Sequence, residues 1–170
     1  MCLECDGYSF EEAMQALDLQ IRVHGWALVQ VQGDTESWCY TVGLLEHYDH
    51  PELTLIDVDL EYASQVMTAL VDGVVTNGQV SPWLLRSNGL QCIEVHPDHL
   101  HGDLFGRWSS RYGCLMRPGD MVQVLLPPEA YCECHAPVVR RLDTPGPIAA
   151  PPVAPNRAER RRRARRGRAA

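Results

Sequence analysis

Two groups of side chains in this 170-residue chain have the types and spacing that metal chemistry needs. The first is built on sulfur. Cys2 and Cys5 form a C-x2-C pair, and Cys132, Cys134 and His135 cluster near the other end. Structural zinc takes tetrahedral thiolate and imidazole ligands, and C-x2-C is its usual half-site. A zinc ion there would staple the two ends together; the alternative is free thiols. The second group is built on imidazole. His47-x2-His50 and His96-x2-His99 each carry an aspartate just before the second histidine, Asp49 and Asp98. Neutral imidazoles with a carboxylate suit Zn, Fe or Ni, and a metal-bound water would make a hydrolase. Neither pair matches HExxH, and the competing reading is exposed histidines with Asp98 capping a helix. Zinc is therefore the one cofactor the sequence proposes.

A third group is purely electrostatic. Residues 157–170 hold eight arginines, among them Arg160, Arg161, Arg162, Arg163, Arg165, Arg166 and Arg168, against Glu159 alone, a net +7. Residues 1–156 hold seven arginines against 21 acids, a net −14. The formal charge of −7 hides this division. Such a tail would neutralise phosphates without reading bases, so nucleic acid or an acidic protein is the expected partner. The same tail could instead fold back on its own acidic body. No aromatic residue interleaves the arginines, so base stacking is not expected.

Other classes are excluded. The acidic N-terminus lacks the basic and apolar regions of a signal peptide, and no apolar run nears the roughly 18 residues of a membrane span. An odd cysteine count argues for reduced or metal-bound thiols. A soluble, cytoplasmic protein with no membrane partner is expected. There is no Walker A, GxGxxG or nucleophile elbow.

These residues need elements to position them. Ser9 with Glu12 is a capping box, followed by Phe10, Ala13, Met14, Leu17 and Ile21 at helical spacing and Gly25 as a stop. Trp26–Gln32 and Ser37–Leu44 read as a hairpin around Gly33-Asp34. After a polar loop at Glu46–Pro51, Leu53–Val58 reads as a buried strand, and Asp59 caps a second helix ending near Asn77-Gly78. Asn88-Gly89 predicts a second hairpin between strands Pro82–Ser87 and Leu90–Val95. Asp98–Tyr112 reads as a helix weakened by Gly102 and Gly106, and Met121–Leu126 as a last strand. Cys39 and Cys92 fall in strands as inert buried thiols, whereas Cys114 is expected to be exposed.

The order α-β-β-β-α-β-β-α-β predicts an α+β fold with about three helices on a mixed, largely antiparallel sheet. The domain is expected over 1–143. Residues 144–156, with five prolines in thirteen, read as an extended linker, and 157–170 as a disordered tail.

His24-Gly25-Trp26, Trp38-x-Tyr40-Thr41-Val42-Gly43-Leu44 and His50-Pro51-Glu52-Leu53 resemble the signature of the bacterial family called domain of unknown function 4262. Arg111-Tyr112-Gly113 and Val122–Leu125 are similar to its later blocks. The resemblance covers roughly residues 10–127 and implies a small α+β module with no assigned activity or catalytic residues. Physically, Trp38, Tyr40 and Val42 share one strand face and Cys39, Thr41 and Gly43 the other. Gly43 permits a bulge or a close approach. His50 and Glu52 at a sheet end could do acid–base work; alternatively, Glu52 caps a backbone group and His50 packs on an aromatic. His24, Trp26, Tyr40, Thr41, His50 and Glu52 are the ligand-binding candidates. A non-enzymatic binding or regulatory module with an anion-binding tail is the expected function, a metal-dependent hydrolase the alternative.

Overall fold

The computed structural model describes residues 7–33, 36–101, 103–130 and 140–146. Helix α1 (Phe10–His24) begins where the capping box predicts. The Ser9 hydroxyl accepts from the Glu12 amide, while the Glu12 carboxylate accepts from the Ser9 amide. Gly25, with φ 78°, closes the helix in the left-handed conformation that glycine adopts without strain. Strands β1 (Ala27–Gln32) and β2 (Ser37–Val42) form the first predicted hairpin, pairing antiparallel with Ala27 opposite Val42. Strand β3 (Glu52–Ile56) lies on the other side of β2, also antiparallel. Helix α3 (Leu60–Asn77) starts on Asp59, whose carboxylate accepts from the Glu61 and Tyr62 amides, and stops at Gly78.

Three local expectations are corrected. The polar stretch after β2 contains a short helix, α2 (Leu44–Tyr48). The segment expected as a strand is helix α4 (Pro82–Ser87). Its side chains suit a strand, but Ser81 caps the Leu84 amide and Pro82 sits at the first helical position, where its missing N–H costs nothing. Asn88-Gly89 therefore ends a helix and does not turn a hairpin. The helix expected over Asp98–Tyr112 is divided into α5 (Pro97–Leu100), a 3-10 turn (Asp103–Phe105) and α6 (Gly106–Tyr112). His96, not Asp98, caps α5.

Strands β4 (Gln91–Glu94) and β5 (Met121–Leu125) complete a five-stranded sheet of order β1-β2-β3-β5-β4. Only the β3–β5 pair is parallel. The fold is α+β with a mixed, largely antiparallel sheet, as predicted, but with six α-helices among the described residues. Apolar layers cover both faces. On one, Val29, Tyr40, Val42 and Met121 pack with Leu17 and Ile21 of α1 and with Phe105 and Trp108. On the other, Cys39, Leu53, Leu55 and Val124 pack with Met67, Leu70 and Val74 of α3. The alternation predicted for Trp38–Val42 thus divides β2 between two cores. Cys39 is buried as expected, and burial pushes its thiol up to about 12. Cys114 is exposed as expected; Cys92 is also exposed, because β4 is a short edge strand with only Ile93 half-buried.

Residues 140–146 return across the first core. Leu142 is fully buried there. Gln123 on β5 holds the segment with both ends of its amide, donating to the Arg140 carbonyl at 2.7 Å and accepting from the Leu142 amide at 2.7 Å. The His96 amide donates to the Leu142 carbonyl, and Arg140 pairs with Glu36.

Candidate functional site at helix α2

The signature blocks meet at α2. Its first amides have no local side-chain cap, since the N-cap position is Gly43 with φ 112°. Glycine is required there on two counts. Its φ is left-handed, and a Cβ would stand 2.6 Å from the Gly25 carbonyl oxygen. The close approach predicted for Gly43 is to the end of α1, and Tyr48 reinforces it by donating its hydroxyl to the His24 carbonyl at 3.0 Å.

The missing cap comes from β3. The Glu52 carboxylate, 0% exposed, reaches across β2 to the start of α2. One oxygen accepts from the Gly43 amide at 2.7 Å and the Leu45 amide at 3.4 Å; the other accepts from the Thr41 hydroxyl at 2.7 Å and the Leu44 amide at 3.3 Å. Thr41 in turn accepts from the Leu53 amide at 2.9 Å. Burial pushes the Glu52 carboxyl up and the four donors pull it down; the net position is above the ordinary carboxylate value. Of the two readings offered by the sequence, Glu52 has the geometry of a backbone cap.

The other face of β2 positions α6. The Trp38 indole donates to the Leu104 carbonyl at 2.9 Å, and the Tyr40 hydroxyl accepts from the Arg107 amide at 3.3 Å. The Tyr40 ring meets Phe105 edge-on, with centroids 5.3 Å apart. So anchored, α6 presents Arg111 and Tyr112 to α2. Arg111 pairs with Asp18 of α1 and with Glu46 of α2, while the Tyr112 hydroxyl donates to the same Glu46 oxygen at 3.1 Å. Burial works against the Glu46 charge, but the bonds from Arg111 and Tyr112 hold its carboxyl below the ordinary value. Burial, with the nearby Glu52 and Glu46 charges, pushes the Tyr112 phenol up to about 12. Tyr112 is therefore a donor here and not a base. Among the described residues, Arg111 Nε and the buried Trp108 Nε1 have no hydrogen-bond partner.

The remaining candidates take separate places. Trp26 packs, half-buried, against the second core. His47 is exposed beside Glu46 at 3.8 Å. His50 Nδ1 donates to the Pro51 carbonyl at 2.7 Å, so its partner is backbone and not an aromatic ring. His96 Nδ1 accepts from the Asp98 amide, and His99 Nε2 donates to the Thr144 carbonyl at 2.9 Å. Among the described residues, no three His, Cys, Asp or Glu side chains gather as a metal ion would require. Cys2, Cys5, Cys132, Cys134, His135 and the tail arginines lie outside the described residues. Among the described residues no helix is long and apolar enough to cross a membrane.

Sequence reasoning missed Asp18, Glu46 and Gln123. No local pattern marks them, because each acts on a residue at least 17 positions away in the chain.

A mixed-sheet α+β domain whose signature residues converge on one short helix defines the class. Residues 20–129 match the family described as Domain of unknown function (DUF4262), and the chain belongs to that family. No curated protein and no solved structure matches it.

Proposed function

We infer that the chain is a non-enzymatic binding module in which the folded body is a scaffold and the arginine-rich tail contacts a polyanion, with nucleic acid the preferred partner. The observation that carries this reading is the charge division, −14 over residues 1–156 against +7 over 157–170. A free cationic segment releases counterions from phosphates, whereas the acidic body repels them.

The fate of the acid–base candidates supports the scaffold half. Glu52 uses both oxygens on Thr41 and the first turn of α2, and among the described residues no three of the histidines and acids of the metal alternative gather as a metal would require. A hydrolytic site would need a nucleophile or metal-bound water beside an available base.

Fluorescence anisotropy with a labelled single-stranded oligonucleotide of about 20 nucleotides tests the reading. Seven or eight phosphate contacts give a log–log salt slope of about −5 to −6 for a single strand. Deleting 157–170 is expected to abolish binding. Retained, salt-insensitive binding by the deleted form would overturn the assignment to the tail.

A further inference from the structure

Among the described residues, Glu52 is the one buried carboxyl group, its bonds hold the start of α2 in place, and the scaffold reading leaves it without a task beyond structure. Helix α2 is five residues long and has no cap of its own. Its first three amides, from Gly43, Leu44 and Leu45, all end on Glu52 oxygens. Bonds from an N–H to a carboxylate are roughly twice as strong as those to a neutral acceptor. A neutral carboxyl group would also carry an O–H that faces four donors, and only Thr41 Oγ1 could accept it.

We propose that Glu52 is a proton-operated latch: ionised, it clamps the first turn of α2, and protonated, it releases that turn while the sheet stays folded.

The release would be felt at the surface. Helix α2 carries Glu46, which accepts from both Arg111 and Tyr112 of α6, and Arg111 also pairs with Asp18 of α1. Loosening the turn would loosen that junction. The ionisable groups around the latch are Glu46 and His47 on α2, Arg111 and Tyr112 on α6, His50 two positions before Glu52, and Asp120, whose carbonyl accepts from the Glu52 amide. Tyr112 is held as a neutral phenol and Arg111 as a cation throughout the range of interest.

Burial raises the Glu52 carboxyl and the amide bonds to α2 lower it. A released turn that leaves the carboxyl buried in the sheet without those amides raises it further, and protonation then favours release. The rest of the sheet does not depend on it. The β1–β2 ladder runs from Ala27–Val42 to Gln32–Ser37 without using the Glu52 side chain.

Amide exchange followed by NMR on the full chain, with the Glu52 carboxyl carbon observed in parallel, tests the latch. Between about pH 8 and about pH 4 the protection factors of Gly43, Leu44 and Leu45 should fall at least about tenfold, with the midpoint of the Glu52 carbon titration. Val29 and Tyr40 should keep their protection. Glu52→Gln, the neutral mimic, should show low α2 protection with no such midpoint. Unchanged α2 protection while the Glu52 carbon titrates would overturn the latch. So would the same midpoint persisting in Glu52→Gln, which would assign the change to another group. If Glu52→Gln fails to fold, the coincidence of midpoints in the natural chain decides alone.

Discussion

Among the described residues, two of the three buried polar side chains on the parallel pair at the centre of the sheet, Glu52 and Gln123, anchor opposite things. Glu52 on β3 is ionisable and holds α2, whose amides lie only seven to nine residues back in the chain. Gln123 on β5 is neutral and holds residues 140–142, 17 to 19 positions onward. Both replace local secondary structure with a side chain, and both leave few polar atoms unsatisfied, as burial demands. The difference is charge. A carboxylate accepts four donors, at the cost of desolvation; an amide donates once and accepts once, with no titration. One anchor is therefore sensitive to pH, and the other is not.

Substitutions can break this comparison at either end. Glu52→Ala should have the larger effect. It strands three backbone amides and the Thr41 hydroxyl, so unfolding free energy in urea should drop by about 3 kcal/mol or more. A loss within about 0.5 kcal/mol would show that α2 holds without the cap. Gln123→Ala removes the partners of the Arg140 carbonyl and the Leu142 amide, for an expected loss of about 2 kcal/mol that is the same at acid and neutral pH. Proteolysis should then cut near residues 140–146 sooner than in the natural chain. Equal resistance would place the hold on Leu142 packing alone.

The comparison also explains what the sequence could reveal. Helices α1 and α3 were legible to the residue because their caps, Ser9 with Glu12 and Asp59, lie within three positions of the amides they serve. Helix α2 was not, since its cap arrives through space from Glu52. Helix α4 read as a strand because Trp83, Leu84 and Leu85 satisfy either pattern, and Ser81-Pro82 decided between them. The division of Trp38–Val42 between two faces is legible because strand alternation is geometric. The return of residues 140–146 had no signal, since a single buried leucine and a glutamine have no periodicity. At the site, Thr41, Gly43 and Glu52 stood out as types at a sheet end. Only the fold could show that Glu52 faces three amides, or that Arg111 and Tyr112 share Glu46.

The central claim is that Glu52 titrates in the folded state as a buried group serving α2. Its folded value lies above the ordinary carboxylate range. Measured against the unfolded chain, where the carboxyl is solvated, the neutral buried form contributes stability that is fully present below the ordinary value and is lost as pH rises through the raised folded value. Release of α2 with Glu52 still buried runs the other way with pH. Urea unfolding across pH measures this directly. The natural chain should lose up to about 1.4 kcal/mol per pH unit within that window relative to Glu52→Gln. Parallel stability profiles for the two proteins would contradict the account.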